Sequence, residues 1–72
     1  MKLYTINSKN QLHGIVKNII LGEVVSEIEL ETLAGTVCSV ITTSSLKILG
    51  LKIGDSAIAV VKATDVLMMI AE

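Results

Sequence analysis

The chain has no proline, one cysteine, one histidine and one aromatic residue, and these shortages exclude several classes of protein. A single cysteine, Cys38, cannot form a disulfide within the chain, so a disulfide-stapled domain is excluded. The single aromatic residue, Tyr4, provides no platform on which exposed bases could stack. The net charge is −1, from 6 basic and 7 acidic residues, and lacks the basic excess that is typical of a nucleic-acid binder.

Long apolar runs are also missing, although 51% of the residues are hydrophobic. Charged or hydroxyl residues interrupt every segment before the roughly 20 apolar residues needed to span a bilayer. The first ten residues lack the pattern of a secretory signal, so we expect a cytoplasmic protein. The 72 residues predict one domain, 1–72, of a size that buries only about 60% of its unfolded surface. The surplus of Val, Ile and Leu therefore indicates a homo-oligomer.

The first half of the chain has the patterns of three strands. Residues 14–21 are rich in β-branched types and predict the first, which begins as early as Leu12. Residues 23–31 alternate with a period of two, which predicts a strand with one face in the core. The core face would carry Val24, Ser26, Ile28 and Leu30. The glutamates on the other face would be solvated, because carboxylates spaced by two along an open strand are not expected to converge on a metal ion.

The second half adds a helix and two further strands. A turn at 33–35 precedes a third strand over 36–43, and hydroxyl residues then offer N-caps for a short helix that ends at Gly50. The segments 56–62 and 66–70 read as a fourth and a fifth strand. We therefore predict an all-β, five-stranded barrel of the oligonucleotide/oligosaccharide-binding (OB) type, with one short helix between strands 3 and 4. Periodicity alone leaves another small β-barrel open.

The residues that could carry out catalysis are isolated from one another. His13 has no nucleophile and no orienting acid at a recognisable spacing, so we interpret it as an exposed or interface side chain. Cys38 reads as a small buried apolar residue. A zinc site requires four nitrogen or sulfur ligands, of which one chain supplies two at most. The sequence therefore predicts neither an enzyme nor a metal cation site.

Three polar clusters remain: residues 7–11 ("NSKNQ"), 42–45 ("TTSS") and 62–65 ("KATD"). They contain the N–H and O–H donors and the one or two positive charges that a tetrahedral oxyanion requires, and the hydroxyls of 42–45 lie at a predicted helix start. Ordinary turns and lysines that extend to water explain the same residues and are the more general interpretation. From the residues alone, both interpretations stay open.

The order of motifs resembles the molbindins, the small Mop-type molybdate-binding proteins. The family opening Ser-Ala-Arg-Asn-Gln-Leu-x-Gly-x-Val aligns without a gap to residues 7–16, and further motifs match at 22–28, 41–42, 49–54 and 61–66. Five motifs in the same order and spacing cover nearly the whole chain. The resemblance implies strand-exchanged dimers that assemble into a hexamer and hold molybdate or tungstate between subunits.

By position, the resemblance also implies the oxyanion-binding residues: Asn7, Ser8, Lys9, Thr42, Lys62, Ala63 and Thr64. A second oxyanion site near the three-fold axis would use the backbone around Gly22. Two positions depart from the family motif, with Lys9 in place of arginine and Asn7 in place of serine. Lysine carries a compact charge with three donors where arginine has a planar fork of five, so we expect an altered affinity or oxyanion preference.

The function implied by the resemblance is cytoplasmic storage or homeostasis of molybdate without catalysis. Two alternatives stay open at this stage. One is a regulatory module that senses the oxyanion and docks on a larger transporter or transcription factor. The other is a purely structural oligomer that has lost the anion site.

Overall fold

The computed structural model describes residues 9–71, which form one antiparallel sheet and one short α-helix. The elements in chain order are β1 (Gln11–Ile20), β2 (Val25–Thr32), β3 (Gly35–Thr42), α1 (Thr43–Leu49), β4 (Ser56–Val60) and a 3₁₀ turn at Ala63–Asp65. The strand order across the sheet is β3-β2-β1-β4. The all-β class and the helix between the third and fourth strands are as the sequence predicts.

The core lies under the alternating face of β2. Ser26, Ile28 and Leu30 are buried, as the period of two predicts, and Val16 of β1 and Leu46 of α1 pack with the two apolar members of that face. Val24 was expected on this face, but it is exposed because it lies in the turn before β2 begins at Val25. Few side chains of the core are fully buried, and the partly buried apolar residues that pack against them are more numerous.

Helix α1 ends before Gly50, as the sequence predicts, but it begins at Thr43, which was expected to end the third strand or to cap the helix together with the two serines that follow it. The N-cap is Thr42, whose hydroxyl accepts a hydrogen bond from the N–H of Ser45 at 3.1 Å. At the other end Gly50 adopts the left-handed conformation, with φ 66°, and its N–H bonds the carbonyl of Leu46. The helix is therefore fixed at both ends by local chemistry.

Two predicted strands differ in the structure. The fourth ends at Val60 instead of residue 62, because Lys62 begins the 3₁₀ turn. The predicted fifth strand, 66–70, has no ladder partner among residues 9–71 and is not a strand in the single chain. Its apolar side chains are almost fully exposed, with Leu67 at 92% and Met69 at 91%. A strand needs a neighbour to pair with, and within the described chain this segment has none.

The sheet leaves both of its outer strands open on one side. Strands β3 and β4 each pair with a single neighbour. Between them lies an apolar groove of about 260 Å³, lined by side chains of β2, β3, β4 and the segment after α1. Among residues 9–71 no helix is long or apolar enough to cross a membrane.

Candidate functional site

Two lysines, Lys9 and Lys62, lie just beyond one end of the β1–β4 ladder. Strand β1 pairs with β4 in a register that includes Gln11 opposite Val60, and the N–H of Val61 bonds the carbonyl of Asn10 at 2.9 Å. Continued by one residue, this antiparallel register places Lys9 opposite Lys62. Both lysines are exposed. Within residues 9–71, no hydrogen bond or ion pair holds either ammonium group.

The turn after Lys62 adds further donors. The carbonyl of Lys62 accepts the N–H of Asp65 at 2.9 Å, which closes the 3₁₀ turn. The N–H groups of Ala63 and Thr64 begin this turn and have no acceptor in the described part of the chain. A cavity of about 410 Å³ lies at the same end of the sheet, lined by residues 9–12, Val61 and Val66. We call residues 9–10 and 61–65 the lysine end.

We call the third predicted cluster, residues 42–45, the hydroxyl end. Some of its hydroxyl groups already donate hydrogen bonds within the chain. The Thr42 hydroxyl donates to the Ser45 hydroxyl oxygen at 2.7 Å and accepts the Ser45 N–H. The hydroxyl proton of Ser45 has no acceptor within residues 9–71. Sequence reasoning selected Thr42 and missed Ser45. The signal was the three-residue spacing of an N-cap, which brings the two hydroxyls together.

Behind Thr42, two buried hydroxyls close a ring of hydrogen bonds with Gly22. The Gly22 N–H donates to the Ser26 hydroxyl at 3.2 Å, and the Thr43 hydroxyl donates to the Gly22 carbonyl at 2.8 Å. The two hydroxyl oxygens are 2.7 Å apart. Because the Thr43 proton is already used, Ser26 must donate to Thr43, which fixes the direction of all three bonds. We call these three bonds the Gly22 ring.

The ring bears on the expected second oxyanion site around Gly22. Both the N–H and the C=O of Gly22 are engaged inside the chain, so Gly22 has no N–H to offer an anion unless the ring opens. A Cβ at this position would lie 2.1 Å from the carbonyl oxygen of Val25, which is a severe clash. The glycine is therefore required here by a close backbone approach.

The single chain does not bring all the predicted residues together. Asn7 and Ser8 lie outside the described residues. Strand β3 runs parallel to β1 across the sheet, from Gly35 in the row of Gly14 to Thr42 in the row of Val25. Lys9 and Lys62 lie beyond the opposite end of β1. The hydroxyl end and the lysine end therefore lie toward opposite ends of one sheet.

The outer face of β2 differs from expectation in two respects. Cys38 is exposed on the edge strand β3, so the prediction that it is buried is wrong. Ligand atoms of Glu27, Glu29 and Cys38 all lie within 4.8 Å of one another, so these carboxylates do converge. Local desolvation, and then the charges of Glu27 and Glu29, raise the pKa of the Cys38 thiol. The thiol is consequently less ionised than an ordinary exposed cysteine at neutral pH.

A second cluster on this face is held by contacts among Lys17, Glu31 and Thr36. Thr36 donates to a Glu31 carboxylate oxygen at 3.0 Å, and Lys17 lies 3.3 Å from the same oxygen. The hydrogen bond from Thr36, followed by the bond and the charge of Lys17, lowers the pKa of Glu31. This cluster is a surface ion pair remote from both ends of the sheet.

The chain is similar to known proteins over most of its length. Residues 7–68 match the TOBE domain family model. Molybdenum-pterin-binding proteins 2 and 1 of Clostridium pasteurianum are 39% and 36% identical over 66 residues, which cover 90% of this chain and 97% of theirs.

Two solved structures have the same fold. MopII from Clostridium pasteurianum superposes with a TM-score of 0.85 at 39% identity, over 92% of this chain and 100% of that one. A molybdate-binding protein from Sporomusa ovata gives a TM-score of 0.87 at 31% identity, over 93% of this chain and 100% of that one. Both the OB-like fold and the molbindin resemblance are confirmed by these matches. The chain belongs to the TOBE domain family and is a homologue of the Mop molybdenum-binding proteins.

Proposed function

We propose that this protein binds molybdate, or its congener tungstate, as a storage or buffering protein of the cytoplasm, without catalysis. Support comes from relatives named for binding molybdenum-pterin and molybdate, and from the lysine end. There, two lysines lie at the end of the β1–β4 ladder without a counter-ion among residues 9–71, and two N–H groups of the following turn have no acceptor within the same residues. A tetrahedral dianion supplies what this arrangement lacks, namely two negative charges and acceptors in several directions.

The donors take different roles in this proposal. Lys9 and Lys62 supply charge, the N–H groups of Ala63 and Thr64 give direction, and the Thr64 hydroxyl adds a donor. Asn7 and Ser8 precede Lys9 and would reach the same anion. Enclosure of the site strengthens these hydrogen bonds, because the electrostatic attraction in a charge-assisted hydrogen bond is larger when water is excluded. A single exposed turn cannot exclude water, so the site needs a second surface over it.

A second copy of the chain provides that surface in our proposal. Because the hydroxyl end and the lysine end lie toward opposite ends of one sheet, Thr42 joins the lysines of another subunit. The exposed segment 66–70 becomes the missing fifth strand by pairing with an open sheet edge of the partner, over the apolar groove. Three such dimers would form the hexamer. Residues 1–72 act in this assembly as one domain.

Equilibrium dialysis tests the binding. The purified protein is dialysed against molybdate with and without a large excess of sulfate, molybdenum is counted per chain, and mass is measured by light scattering. We expect about one ion per chain, retained in sulfate, on a hexamer. No retained molybdenum would refute the function and leave a structural oligomer. Retention by a lone monomer or dimer would refute storage in favour of a module that docks on a larger protein.

A mixed-subunit experiment tests the inter-subunit geometry. Thr42→Ala and Lys62→Ala chains are each assembled alone and then refolded together. If every site takes Thr42 from one subunit and Lys62 from another, a mixed dimer contains one intact site and one doubly altered site. Binding at wild-type affinity then reappears at half the sites of the mixed dimers. A mixture that binds no better than either variant alone would contradict a shared site.

A further inference from the structure

We infer that Ser26 and Thr43 are positioning residues of the oxyanion site: through the Gly22 ring they hold the hydroxyls of Thr42 and Ser45 in place for the anion. The inference rests on the proposed function, because it concerns the hydroxyl end of the same site. Neither ring residue can touch an anion itself, since Ser26 is 2% exposed and Thr43 is 6% exposed.

The ring fixes the backbone on the carboxyl side of Thr42. Thr43 is held twice to the turn before β2, by its N–H to the Val24 carbonyl at 2.8 Å and by its hydroxyl to the Gly22 carbonyl. On the amino side, Thr42 belongs to β3 and pairs with Val25 of β2. The Cα of Thr42 is therefore clamped between the sheet and the turn. A residue clamped on both sides has little freedom to reorient its side chain.

The clamp continues outward through hydroxyl groups. Thr42 donates to Ser45 at 2.7 Å, so its proton points along the helix start, and the next available proton is that of Ser45. The order from interior to surface is Gly22 ring, Thr42, Ser45. The ring acts on this end through the backbone of Thr43, which it holds in place beside Thr42, and the Thr42 hydroxyl in turn orients that of Ser45. We expect the anion to contact Ser45 at this end, with Thr42 as the orienting group.

The ring also satisfies both peptide groups of Gly22, so an apolar pair in place of the two hydroxyls would leave that N–H and C=O without these partners. The two hydroxyls therefore hold the turn at Gly22 to the start of α1, directly beside Thr42. Only the cyclic arrangement gives every proton one defined acceptor.

The test uses full-length chains with four substitutions. Thr43→Val breaks the ring and keeps the shape of the side chain, and Thr43→Ser keeps the hydroxyl. Ser26→Ala breaks the ring from the other strand. Val16→Ala is the matched control, because Val16 is fully buried in the apolar core and takes no part in the three bonds of the ring. Circular dichroism and light scattering first establish that each variant is folded and assembled.

Molybdate and sulfate dissociation constants are then measured on wild type and variants. Removing an outer partner that orients a ligand costs about tenfold or more in affinity. We expect that loss for molybdate in Thr43→Val and Ser26→Ala, together with weaker discrimination against sulfate. Thr43→Ser should recover affinity to within about twofold. Val16→Ala should lower the melting temperature and leave both constants unchanged.

The outcomes separate this inference from the function on which it rests. If wild type does not bind molybdate, the proposed function fails and the inference fails with it. If wild type binds and Thr43→Val binds equally well, the function stands and the positioning role is overturned. If Val16→Ala weakens binding as much as Thr43→Val does, affinity follows general stability, and the positioning role is again overturned. Should Thr43→Val not fold, Ser26→Ala against Thr43→Ser decides the question in the same way.

Discussion

The two ends of the sheet satisfy their polar groups in opposite ways. At the Gly22 ring every hydroxyl and both peptide groups of the glycine have partners within the chain. At the lysine end two ammonium groups and two N–H groups have none among residues 9–71. The first region is complete in the single chain. The second is organised but unsatisfied, which is the condition of a site that receives its partners from outside.

If the lysine end is an anion site and the Gly22 ring is not, Lys62→Ala should have the largest effect on molybdate affinity and almost none on the free energy of unfolding. Loss of a charge-assisted hydrogen bond to the anion should weaken molybdate binding by about 100-fold. The free energy of unfolding without anion should change by less than about 0.5 kcal/mol, because Lys62 is exposed and makes no hydrogen bond or ion pair through its ammonium group within residues 9–71. Calorimetric titration and urea unfolding measure the two quantities.

Lys52→Ala is the matched control, because Lys52 is also an exposed lysine but lies in the turn before β4, away from the lysine end. It should bind molybdate like the wild type. An equal loss of affinity in both variants would mean that the overall positive charge, and not the placement of Lys62, attracts the anion.

Gly22→Ala should reverse the pattern, with a large effect on folding. A new Cβ would lie 2.1 Å from the Val25 carbonyl oxygen and force the turn apart, which should destabilise the chain by about 2 kcal/mol or more. Gly50→Ala meets no atom within 4 Å and suffers only from its left-handed φ, so its cost should be about 1 kcal/mol. Urea unfolding at one protein concentration measures both. Equal costs would show that the turn yields easily.

Asp65→Asn should have the opposite effect to Lys62→Ala and strengthen molybdate binding at the lysine end. The Asp65 carboxylate is the one negative charge on the turn that carries Lys62, and it repels an incoming anion. Its removal should tighten molybdate binding by about threefold, since exposed charges interact through water. Glu23→Gln removes one negative charge from a turn remote from the lysines, and it should leave the affinity unchanged. Tightening in both variants would point to net charge alone.

The smallest effect concerns Glu31, which belongs to neither end. Its folded pKa is lowered by Thr36 and Lys17, so its contribution to stability is present above the unfolded pKa and is lost as pH falls through the folded pKa. NMR titration should place the Glu31 midpoint below the ordinary value of 4.5. Thr36→Val should move it upward, because it removes the first cause of the shift. An unmoved midpoint would assign the shift to Lys17.

Much of the fold was predictable because its signals are local. The alternation of β2 gave the buried face of Ser26, Ile28 and Leu30, and a hydroxyl before the helix with Gly50 after it gave α1. Edges were not predictable from local patterns. Cys38 alternates like a core residue but is exposed on an outer strand, and 66–70 has strand composition but pairs with no strand among residues 9–71.

The candidate site was predictable in part, for a related reason. Each polar cluster is local in sequence, but the register decides which clusters come close: it brings Lys9 and Lys62 to the same end of the sheet and places Thr42 toward the other end. The Gly22 ring escaped sequence reasoning because Ser26 and Thr43 are 17 residues apart. One signal was available: a serine on a core face must find a hydrogen-bond partner.

In the proposed assembly, the open groove between β3 and β4 would link the protein's stability to its own abundance. A chain with so small a buried core would gain much of its folding free energy from contacts with other copies, so mass action would govern whether it is folded. Dilution would weaken the assembly and, with it, the shared anion sites. Molybdate bound only by the assembled form would then act as a stabilising ligand. A buffer built in this way would load cooperatively as its own concentration rises, and would release its ions when the protein becomes scarce.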